Sequence, residues 1–92
     1  MFAGANQFNR DIGKWDVGAV TTMAATFREA FDFNQDISYW NVARVTNMRN
    51  MFRHATSFNQ DLSRWDVAKV NDMNCMFGGI SAFNQVLLQY MY

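Results

Sequence analysis

The chain has 92 residues, half of them apolar, and its 8 basic residues balance 8 acidic ones for a formal net charge of zero. That length holds one domain, that apolar share excludes a disordered tail, and that balance leaves no net field to draw in nucleic acid or an anionic membrane. Cys75 is alone and closes no internal bridge, no zinc-type Cys or His spacing is present, and the apolar runs fall short of the roughly 18 to 20 residues that span a bilayer.

From Met1 to Arg10 there is neither the basic head and apolar stretch of an export signal nor a cysteine for lipid attachment. The chain then declares a period of 25, without gaps: repeats at 1–25, 26–50 and 51–75, and a partial repeat at 76–92. Nine of the 25 columns are identical in the three full repeats, represented in the first by Phe2, Ala5, Phe8, Asn9, Asp11, Trp15, Val17, Val20 and Met23. With no proline and five glycines there is no linker, so 1–92 reads as a single repeat domain.

Between Ile12 and Val20, Trp15 and Val17 alternate with Lys14, Asp16 and Gly18, the spacing of a short strand. Val20, Met23, Phe27 and Ala30 follow at intervals of three, four and three, the stripe of an amphipathic helix, with Thr21 placed to cap its first amides. The second repeat predicts the same pair, a strand with Trp40 and Val42 and a helix with Val45, Met48, Phe52 and Ala55 behind Thr46; the third repeats it with Trp65, Val67 and Asn71. The partial repeat keeps Phe77, Phe83 and Asn84, with Tyr90 in the tryptophan column and Val86 in the aspartate column.

One such coil leaves an apolar face open, and stacked coils bury it together. The expected fold is therefore an α/β solenoid with one short parallel β-strand and one helix per 25-residue coil. Its interior is expected to hold columns of tryptophan, of Phe8, Phe33, Phe58 and Phe83, and of Asn9, Asn34, Asn59 and Asn84, the last hydrogen-bonding as a ladder. The methionines at Met23, Met48 and Met73 read as core fillers.

The segments FNQDISYWNVARVTNMRNMF and FNQDLSRWDVAKVNDMNCMF resemble the 25- to 26-residue repeat of the BspA-like leucine-rich repeat surface proteins, including the mycoplasma-type lipoprotein repeats. The resemblance covers almost the whole chain. It implies a leucine-rich-repeat-like parallel solenoid with helices outside, displayed at the cell surface or outside the cell, serving adhesion or protein contact, and it brings no catalytic residues. Ile12, Trp15 and Val17 stand at the leucine positions of that pattern, whereas Val20 replaces its asparagine. Without a capping repeat, the chain reads as a fragment of a longer array, and exposed ends make end-to-end self-association the expectation.

A contact site is expected on the outward strand face, where the repeats differ: Lys14, Tyr39 and Arg64 in one column, Asp16, Asn41 and Asp66 in the next, then Ala19, Arg44 and Lys69. Tyr39 flanked by Arg64 and Arg44 has the composition of an interface hot spot. Asp11, Asp36 and Asp61 read as carboxylates accepting turn amides rather than as a calcium ladder, one carboxylate per coil supplying too few oxygens. Arg28, Arg49 and Arg53 read as a solvated surface beside Glu29 and Asp32. His54 and Cys75 form no recurring pair, so neither catalysis, cofactor nor metal is expected. The function that follows is a non-catalytic module binding a protein partner, with a passive spacer in a larger repeat protein as the alternative.

Overall fold

Main-chain amides take turns. In the computed structural model, which describes residues 2–80, the amides of Met23, Ala25, Phe27 and Glu29 donate to carbonyls 24 residues ahead, those of Asn47, Arg49, Met51 and Arg53, at 2.8–2.9 Å. The amides between them turn back: Thr26 to the carbonyl of Met23, Arg28 to that of Ala25 and Ala30 to that of Phe27, at 3.0–3.2 Å. Met48, Asn50, Phe52 and His54 repeat the forward pattern onto Asp72, Asn74, Met76 and Gly78. The segment is a ribbon of overlapping tight turns, half of whose amides hold the next repeat.

The expected α/β solenoid of leucine-rich-repeat type is corrected by this finding. Among the described residues there is no helix, and in place of strands there are two isolated parallel bridges, Thr22 to Asn47 and Asn47 to Asp72. A helix binds each amide four residues back and has none to spare for a neighbour. Its continuation is blocked here at positions 25 and 4 of the repeat, where Ala25, Glu29, Asn50, His54 and Cys75 hold φ of 57–61° and Gly4 and Gly79 hold 74° and 78°. A left-handed residue on each side of the repeat boundary ends any right-handed helical run. Thr21, Thr46 and Asn71 consequently cap no helix; the capping oxygens sit one position later, where Thr22, Asn47 and Asp72 accept the amides of Ala24, Arg49 and Asn74 at 3.3, 2.9 and 3.0 Å.

The expected strand is also two turns. Trp15 N donates to Ile12 O and Val20 N to Val17 O, at 3.1 and 3.0 Å, and both later repeats do the same. Each turn points its first and last residues inward, which is why the apolar residues alternate.

The core is nonetheless a stack in register. Phe2, Phe27, Phe52 and Phe77 lie 5.5–5.6 Å apart, ring centre to ring centre, and Phe8, Phe33 and Phe58 lie 5.8–5.9 Å apart. Within each repeat the two columns meet face to face at 4.1–4.2 Å. Ile12, Ile37, Leu62, Val42, Val45, Met48 and Met51 close around them. Trp40 and Trp65 each pack on the first phenylalanine of their own repeat and reach back to the repeat before: the indole N–H of Trp40 donates to Ile12 O at 2.9 Å and that of Trp65 to Ile37 O at 3.0 Å, whereas Trp15, 47% exposed, does not join the buried column expected of the tryptophans. Asparagine ladders form as well. Asn9 Oδ1 accepts Asn34 N and Gln35 Nε2, and Asn34 Oδ1 accepts Asn59 N and Gln60 Nε2, at 2.9–3.0 Å. The resulting body measures 29 × 27 × 19 Å. Among the described residues every buried side-chain polar atom has a hydrogen-bond partner. Phe83, Asn84, Val86 and Tyr90 lie outside the described residues.

Candidate protein-contact face

The two turns of each repeat position the residues that vary. In a turn closed between residues 12 and 15, residue 14 stands at the tip, so Lys14, Tyr39 and Arg64 project from three successive tips. Ala19, Arg44 and Lys69 hold the corresponding place in the turn closed between 17 and 20. Lys14, Asp16, Tyr39, Asn41, Arg44, Arg64, Asp66 and Lys69 are all exposed. The outward columns therefore come from turn tips, where sequence spacing places them on a strand.

The middle column differs in kind. Oδ1 of Asp16, Asn41 and Asp66 accepts the amides of Gly18, Ala43 and Ala68 at 3.0–3.1 Å, so each side chain fastens the turn that follows it. Among the described residues the side chains of Lys14, Tyr39, Arg44, Arg64 and Lys69 fasten no turn in this way.

Tyr39 is the most exposed large apolar side chain described, at 70%, and the Arg64 guanidinium carbon lies 4.5 Å from its ring centre. That is a cation–π contact between adjacent repeats, and it favours one orientation of the ring. On the other side of Tyr39 an open groove of about 510 Å³ is lined by Asp11, Gly13, Lys14, Trp15 and Asp36.

The aspartate column behaves as turn chemistry. Oδ1 of Asp11, Asp36 and Asp61 accepts the amides of Gly13, Ser38 and Ser63 at 2.8–3.0 Å. The Ser38 hydroxyl, then its amide, holds Asp36 below the ordinary carboxylate value; the Ser63 amide, then its hydroxyl, does so for Asp61, outweighing repulsion from Asp36. Among the described residues no group of three or more His, Cys, Asp or Glu side chains is placed to hold a metal ion.

Elsewhere among the described residues, Arg28 pairs with Glu29 and Arg49 with Asp72, each at 3.6 Å. His54 and Cys75, set aside as non-recurring by residue type, do recur in backbone: both occupy the left-handed columns. The signal was present in sequence, since those columns also hold Gly4, Gly79 and Asn50, the residue types that tolerate positive φ.

Residues 1–90 match the family described as Mycoplasma protein of unknown function, DUF285. The chain belongs to that family. The match spans the three full repeats of this DUF285 chain and most of the partial one. No curated protein and no solved structure matches it.

Proposed function

We propose that this DUF285 chain is a non-catalytic module that binds a protein partner, and that Tyr39 and Arg64 form the centre of its contact face. One observation carries the reading: a tyrosine 70% exposed at a turn tip, its ring held by the guanidinium of the next repeat. An aromatic side chain already oriented loses little freedom on binding, and tyrosine and arginine are the residue types that dominate interface energetics. Lys14, Arg44 and Lys69 are exposed in the same columns, interspersed with the carboxylates of Asp16 and Asp66, so the face offers charges of both signs to a partner. The resemblance of the repeat to those of BspA-like surface proteins supports an adhesive role at a cell surface.

A second reading, a passive spacer, is favoured by the middle column, where Asp16, Asn41 and Asp66 serve the fold itself. The two readings separate on one experiment. The chain and a Tyr39→Ala, Arg44→Ala, Arg64→Ala variant are used side by side to capture partners from cell-surface extracts, with melting temperature as the control. We expect at least a tenfold loss of capture at an unchanged melting temperature; equal capture by both chains would leave the spacer.

A further inference from the structure

The junction between the second and third repeats shows what this fold places against a tyrosine at a turn tip. The guanidinium carbon of Arg64 lies 4.5 Å from the centre of the Tyr39 ring. Its charge also reaches the carboxylates of both layers: Asp36 and Asp61, held low first by their hydrogen bonds to Ser38 and Ser63, are lowered further by Arg64. One ring and two aspartates from adjacent layers thus share one planar cation.

One junction earlier the same parts recur around open space. Asp11 and Asp36 are the carboxylates of adjacent layers, Tyr39 again supplies a ring, and with Gly13, Lys14 and Trp15 they line the groove of about 510 Å³. Both walls belong to described repeats, and Gly13 brings no side chain where the later repeats carry Ser38 and Ser63. A carboxylate has about four acceptor positions, and the turns use fewer. Asp11 takes the Gly13 amide and Asp36 the Ser38 amide and hydroxyl, while both side chains stay exposed. Two carboxylates against the one ammonium of Lys14 leave the fixed charge of the groove negative.

We propose that this groove takes the guanidinium of an arginine side chain on the protein partner, stacked on Tyr39 and hydrogen-bonded to Asp11 and Asp36. The inference rests on the reading of the Tyr39 face as a protein-contact surface, and it names the chemistry that face selects. The neighbouring junction is the template, with Arg64 in the role of the partner's residue and Asp36 serving both arrangements. Guanidinium suits the groove better than ammonium does: it is planar, weakly hydrated, stacks on aromatic faces and forks its donors toward carboxylates. Lys14 lines the same groove, yet among the described residues the cation on the Tyr39 ring is that of Arg64.

Nuclear magnetic resonance tests this on the intact chain, titrated with the peptide acetyl-Gly-Arg-Gly-amide and with its citrulline counterpart, which keeps the shape and loses the charge. We expect the arginine peptide to shift the Gly13 amide and the Tyr39 ring signals saturably, and the citrulline peptide to bind roughly tenfold more weakly. An Asp11→Asn, Asp36→Asn chain should lose that preference while keeping its turns, since Asn41 already fastens one through Oδ1 to the Ala43 amide. Equal binding of the two peptides, or an undiminished preference in the double variant, would overturn the inference. Should the variant fail to fold, the peptide comparison on the unaltered chain decides. Partner capture separates this proposal from the reading beneath it. Capture that needs Tyr39 but ignores the aspartate substitutions removes the groove and keeps the contact face; capture that needs neither Tyr39 nor Arg64 removes the face, and the groove with it.

Discussion

Ala25, Glu29, Asn50 and His54 accept a conformation that L-residues avoid, at about 1–2 kcal/mol each. Each also sends its own amide across to the next repeat at 2.8–2.9 Å, a bond worth about 1 kcal/mol net. The bond itself does not require the strain, since Met23 and Phe27 send their amides across without a positive φ. Glycine removes the strain and keeps the bond. We expect Ala25→Gly to raise the unfolding free energy by about 0.5–1 kcal/mol, after allowing for the freer unfolded chain. Urea denaturation measures it, and a helical Ala25 would give the opposite sign, a loss of about 1 kcal/mol.

At the level of the turn, much of the interior was readable and the secondary structure was not. The repeat, the phenylalanine columns and the asparagine ladder follow from residues recurring every 25 positions, because equivalent neighbours demand equivalent side chains. Helix and strand do not follow. Met23, Phe27 and Ala30 point inward from successive tight turns at the same intervals that a helix would use, and Trp40 and Val42 do so where two turns abut. Apolar spacing reports which residues face the core, and two backbones satisfy it equally. The Tyr39 column was legible because exposure at a turn tip and exposure on a strand select the same residues; the fastening role of Asp16, Asn41 and Asp66 was hidden by the strand assignment.

The turn from Ile37 to Trp40 also carries a measurable contrast. Trp40 is buried and its indole bonds to the repeat before, so Trp40→Ala removes a packed ring and leaves the Ile12 carbonyl without that donor, costing about 3–5 kcal/mol. Trp15 occupies the same turn one repeat earlier with half its surface already in water, and Trp15→Ala is expected to cost less than half as much at concentrations where the chain is monomeric. Equal losses, read from thermal melts, would contradict the layered packing.

For the molecule as a whole, acid is the natural probe of the turns. Asp36 and Asp61 titrate below 3.8 when folded, so they bind fewer protons than the unfolded chain does near that pH. Their contribution is complete above 3.8 and is lost as the pH falls through the folded values. A Ser38→Ala, Ser63→Ala variant lacks the hydroxyl donors and should be less stable than the parent at neutral pH, the two converging once both carboxyls are protonated. An offset that stays constant with pH would assign the serines a role unconnected with the aspartates.

The phenylalanine columns give the chain a quantised length. Each ring finds its neighbour 25 residues away, and the cross-layer amides find their carbonyls 24 to 26 away, so inserting a single residue into a middle repeat shifts every rung beyond it. In-frame duplication or excision of a whole repeat preserves every rung. Growth by copying intact units is thus the kind of change in size that this architecture absorbs without redesign.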